Sequence, residues 1–141
     1  MNAPLYTLEI LRLAAELPSY SPLEREDGRA ELRSPTCGSL VSVAVQLDDN
    51  EGVKALALTV QACAFGQAST ALMAKGAAGR ARQEVAEALA ALSAWLDGSR
   101  DDPGAWPGLA TLAPARSRKS RHPAILLPFR ALLAAMDEAR P

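Results

Sequence analysis

The chain has 141 residues, 49% of them hydrophobic and 22% charged, the profile of a single soluble globular domain over 1–141 that can bury a core without disulfide staples. Its 15 basic and 16 acidic residues leave a formal net charge of -1, which excludes the global positive field that draws a protein to nucleic acid or to an anionic membrane. No apolar run reaches the roughly 18 residues needed to cross a bilayer. In chain order, Leu5, Leu8, Leu11 and Ala15 recur at helical spacing until Pro18. Glu9 and Glu16 inside that pattern mark an amphipathic helix and not a signal peptide, so the expected location is cytoplasmic.

After a Pro- and Ser-containing loop the period changes to two. Ala30 and Leu32 alternate with Arg29, Glu31 and Arg33, and Val41, Val43, Val45 and Leu47 alternate with Ser42, Ala44 and Gln46. The turn Asp48 to Gly52 leads into a third run in which Leu56, Leu58 and Val60 face one way, so the pattern predicts a three-stranded antiparallel meander. Helical spacing returns after Cys63, with Phe65, Ala68 and Leu72 on one side, and again at about 80–97, with Val85, Leu89, Leu92 and Leu96. Residues 99–108 are loop by their Pro and Gly content, and 109–115 suit a short helical turn. A last helix carries Ile125, Phe129, Leu132 and Met136, and its Pro128 predicts a start close to Ala124, because proline is tolerated in a first turn. The fold class is therefore α+β: a three-stranded antiparallel sheet packed with an N-terminal helix and several C-terminal helices.

Both cysteines fall at junctions. Cys37 lies in the turn between the first two strands, and Cys63 lies where the third strand hands over to a helix. In a meander those two places share one end of the sheet, so Cys37 and Cys63 either form one site or serve as two small core residues. A thiol at a helix N-terminus faces unpaired N–H groups and the positive end of the macrodipole, which favour the metal-binding and nucleophilic thiolate. In a reducing compartment, two cysteines are free thiols or metal ligands in preference to a disulfide.

The order of elements, with Thr36-Cys37-Gly38-Ser39 in the first turn and Ala62-Cys63 followed by Ala68-Ser69 at the strand–helix junction, resembles the NifU/IscU/SufU-type scaffolds of iron-sulfur cluster assembly. By that resemblance Cys37 and Cys63 take the first two ligand positions. Aligning residues 116–129 with the family's third motif matches Arg116 and Arg121 to its arginines and places its third cysteine on Ala124. Ser39 stands where the family has an aspartate ligand. His122, the one histidine, lies two residues before Ala124 and offers a nitrogen ligand. A tetrahedral zinc site would join Cys37, Cys63 and His122 to solvent or a carboxylate.

The resemblance implies a non-enzymatic scaffold that binds iron or a [2Fe-2S] cluster through Cys37 and Cys63, works with a cysteine desulfurase and passes the cluster to iron-sulfur acceptor proteins. One chain with two cysteines does not supply the four thiolates such a cluster usually takes. The alternatives are a zinc-assisted sulfurtransferase, with Cys63 as a catalytic nucleophile toward a desulfurase persulfide, and a metal-free binding protein of the same fold. The run Arg116, Arg118, Lys119 and Arg121 is either an anion or partner contact or a solvated loop.

Overall fold

A computed structural model describes residues 7–18, 20–34 and 38–139. The first helix, α1, runs Leu8–Ala15. Thr7 caps it, its hydroxyl accepting from the Ile10 N–H at 3.2 Å and satisfying one of the donors that a helix start leaves open. Leu5 of the expected helical pattern lies outside the described residues. Three strands follow, β1 Gly28–Arg33, β2 Leu40–Leu47 and β3 Val53–Gln61, in the order β1-β2-β3 and antiparallel throughout. This is the predicted meander. The register pairs Ala30 with Val43 and Val43 with Leu58, and it slips by one residue at Gln46 and Leu47, just before the turn. Within that turn Asp48 Oδ1 accepts from the Asn50 and Gly52 N–H groups.

The period-two pattern is visible in the burial of β1 and the first half of β2, whereas Ala44 and Gln46 are buried as well as Val43 and Val45. Val41, Val43 and Val45 are buried on one face of β2 and share a core with Ile125, Phe129, Leu132 and Met136 of the last helix. That helix, α4, runs His122–Ala139 and packs on β1 and β2. The remaining helices are α2 Ala64–Gly76 and α3 Arg82–Leu96, both packed against α4, and α1 lies on α2. The predicted turn near 109–115 is a nine-residue 3-10 segment, Leu109–Ser117, and a single 3-10 turn, Lys119–Arg121, joins it to α4.

The start of α4 differs from the sequence expectation. Pro123, not Pro128, occupies its first turn, and Pro128 sits one turn further in. An internal proline withdraws the N–H that would bond the carbonyl four residues back, here that of Ala124. The buried Ser69 hydroxyl of α2 donates to the next carbonyl, Ile125 O, at 2.6 Å, which ties α2 to α4 where the helical ladder is weakened.

Two buried tryptophans frame the far side of the core. Trp106 donates through Nε1 to Leu72 O at 3.0 Å and meets Phe129 edge-on, with the ring centroids 5.2 Å apart. Trp95 carries the Arg116 guanidinium 5.1 Å above its ring centroid. No described helix is long and apolar enough to cross a membrane.

Candidate functional site

The strand–helix junction places Cys63 as the N-cap of α2, with extended backbone (φ -65, ψ 172) and no capping hydrogen bond from its side chain. Its thiol is free and half-buried. Gln67, one turn into the helix, donates through Nε2 to Ala62 O at 2.9 Å, and its N–H reaches Cys63 O at 2.9 Å, fixing the backbone on both sides of the cysteine. Gly66 allows α4 to approach: a Cβ there would stand 2.6 Å from the Ala62 Cβ and 3.3 Å from the Ala124 Cβ.

Cys63 opens into a recess of about 250 Å³ lined by Gly38, Ser39, Gln61, Ala62, Cys63, Ser120, Arg121 and Ala124. Three chain regions converge there: the turn between β1 and β2, the junction of β3 with α2, and the start of α4. On the first of these, the Ser34 N–H bonds Ser39 O at 2.8 Å and the Gly38 N–H bonds Ser34 O at 3.0 Å. Gly38 takes φ +72, a conformation that suits a residue without a side chain. Cys37, the other expected ligand, lies outside the described residues. Ser39 and Ala124, which the motif resemblance sets against the family's aspartate and third cysteine, both border the recess and are both buried.

His122 is not among the lining residues. Its Nε2 donates to Ala115 O at 2.8 Å, toward the 3-10 segment. Helix geometry accounts for the divergence, because residues two apart on a helix sit about 200° apart around its axis and do not share a face. The same neighbourhood holds Asp97, whose carboxyl lies below its ordinary range chiefly because the Ser99 hydroxyl and N–H bond it, with His122 a lesser favourable charge. Among the described residues no group of three or more His, Cys, Asp or Glu side chains is disposed to hold a metal ion.

The cation run divides in the same way. Arg116 is a packing residue: Nε donates to Trp95 O at 2.9 Å while the guanidinium covers the Trp95 ring. Arg118 and Lys119 are exposed. Arg121 borders the recess with Cys63, a contribution concealed by reading the run as one feature. The signal was the spacing, since Arg121 precedes Ala124 by three positions and so falls on the same side of the chain as it enters α4.

No protein-family model and no curated protein sequence matches the chain. Solved structures do. The chain is similar to the N-terminal part of a nitrogen-fixing NifU-like protein from Brucella abortus, with 30% identity, a TM-score of 0.88, and coverage of 96% of this chain and 94% of that one. It also shares its fold with a SUF-system iron-sulfur cluster assembly scaffold protein from Fervidobacterium islandicum, with 20% identity, a TM-score of 0.83, and coverage of 94% and 96%. A third structure, described only as a hypothetical protein, has 21% identity and a TM-score of 0.76 over 92% of this chain and 97% of its own. With 30% identity over nearly the full length of both chains added to the cysteine-bearing junction and the turn that faces it, this chain belongs to the NifU/IscU/SufU-type family of iron-sulfur cluster assembly scaffold proteins.

Proposed function

We propose that the protein holds iron or a [2Fe-2S] cluster as an assembly scaffold, with Cys37 and Cys63 as its thiolate ligands. The observation that carries this reading is the convergence of Ser39, Cys63 and Ala124 on one recess, because these three positions correspond to three of the family's ligand positions. Gly38, joined to Cys37 by a peptide bond, borders the same recess. The cluster is cargo here, received as iron and sulfur with the help of a cysteine desulfurase and released to acceptor proteins. Two thiolates leave the iron with open positions, which His122 or small external ligands fill. With Nε2 engaged by Ala115, Nδ1 is the atom His122 has available for a metal.

The test is reconstitution of the purified protein without oxygen, using ferrous iron and sulfide. The scaffold reading expects sulfide-to-iron charge-transfer absorption that survives desalting, and a colourless protein after desalting contradicts it. If His122 is among the ligands, His122→Ala in the same assay loses bound metal; wild-type metal content, the result that its turn toward Ala115 favours, removes His122 from the ligand set.

A second reading, a sulfur acceptor that takes a persulfide onto Cys63 with or without zinc, is favoured by the recess itself. Among the described residues it presents one thiol and is lined by no carboxylate or imidazole. Stimulation of a cysteine desulfurase by protein free of iron and sulfide supports this reading, and loss of that stimulation in Cys63→Ser assigns it to this residue.

A further inference from the structure

Four arginines among the described residues are half-buried: Arg80, Arg82, Arg116 and Arg121. Three of them are engaged. Arg80 bonds Gly76 O and Glu84 and covers Trp106, Arg82 pairs with Asp137, and Arg116 bonds Trp95 O and covers Trp95. Of the four, the Arg121 guanidinium alone has no hydrogen bond, ion pair or ring contact with a described residue, and Arg121 is a lining residue of the recess of Cys63. Among the described residues no acidic side chain lines that recess, and the other polar side chains there, Ser39, Gln61 and Ser120, are neutral. Partial withdrawal of a cation from water without a partner is unfavourable, and an anion in the recess offsets that cost.

We propose that Arg121 sets the charge selectivity of Cys63, so that the recess favours an anionic sulfur donor over a neutral one. The identity of the donor rests on the scaffold and sulfur-acceptor readings above. The selectivity is a property of the recess and is testable without metal.

The test compares two alkylating probes of similar size and mechanism, iodoacetate and iodoacetamide, on metal-free protein under reducing conditions. In each case the Cys63 thiolate forms a C–S bond and expels iodide, and peptide mass analysis separates Cys63 from Cys37. Any effect of a substitution on thiolate content or on access acts on both probes and cancels in the ratio of their rates. For Arg121→Gln the iodoacetate-to-iodoacetamide ratio is expected to fall roughly 3- to 10-fold, the scale of removing one unit charge that acts at about 4 Å through water. Arg121→Lys is expected to restore most of the ratio, and Arg118→Gln, at an exposed position outside the recess, to leave it at the wild-type value. An unchanged ratio in Arg121→Gln, or an equal fall in Arg118→Gln, overturns the proposal. A protein that fails to retain iron and sulfide contradicts the scaffold reading while leaving this ratio intact, so the two failures are distinguishable.

Discussion

By the motif resemblance, Ala124 carries the largest chemical difference between the proposed site and a full ligand set. Its methyl group is buried beside Gly66 and borders the same recess as Cys63, so a thiol on that Cβ would enter the recess and not the core. Ala124→Cys is therefore expected to lengthen the half-life of a reconstituted cluster during desalting by about tenfold or more, the scale of a lost or gained interaction at a metal. Bleaching of the visible bands at an unchanged rate would contradict the placement of Ala124 at a ligand position. This position was legible from the sequence only through the family resemblance, since nothing in the apolar pattern of α4 distinguishes Ala124 from Ala131 or Ala135. His122 shows the opposite case. Its chemistry was visible in the sequence, but its direction was not, because two residues of separation along a helix turn the ring toward Ala115.

The elements were legible wherever burial follows a period. The alternation along β2 and the four-three-four spacing in α3 and α4 gave the element types and most of the inward faces: the core contains Val41, Val43, Val45, Val85, Leu92, Leu96, Ile125, Phe129, Leu132 and Met136, while Leu89 is only partly buried and Ala44 and Gln46, expected to face outward, are buried. The start of α4 was less legible. Two prolines stand within one and a half turns, and only tertiary support decides which of them sits inside the helix. Ser69 supplies part of that support through its bond to Ile125 O. Ser69→Ala is expected to cost about 1–3 kcal/mol in denaturant unfolding, as for other buried hydrogen bonds that lose one partner.

Asp27 ties the entry of β1 to the end of β2. It accepts from the Leu47 N–H at 2.7 Å and from Arg25, and these bonds, Arg25 first, hold its carboxyl below the usual 3.8. A carboxyl depressed in the folded state adds stability above its unfolded value, and that contribution is lost as pH falls through the lower folded value. Thermal melting from pH 5 to pH 2 is therefore expected to show a shallower acid-side fall for Asp27→Asn than for the wild type. Parallel curves would mean that the pair is too exposed to matter.

At the scale of the whole molecule, the sheet is a platform that brings the turn between β1 and β2 to the same end as the start of α2, and α4 lays its first turn across both. The recess exists because three segments distant in sequence are held together by one core, with Gly66 letting α4 come close. Meander geometry anticipated that the β1–β2 turn and the β3–α2 junction share one end of the sheet, whereas the arrival of α4 at that end was anticipated only by the likeness of motifs. The core also predicts robustness at the site, since Ser39 directly precedes β2 with its carbonyl bonded by the Ser34 N–H, and Ala124 stands in α4.

The central claim, that Cys63 lies in a recess that holds iron and sulfur, is tested most directly by counting iron and acid-labile sulfide per chain after reconstitution without oxygen, in the wild type and in Cys63→Ser. The account predicts iron and sulfide in equal amounts in the wild type and loss of both in the variant. Wild-type protein that retains neither, or a variant that retains both at the wild-type level, would contradict it.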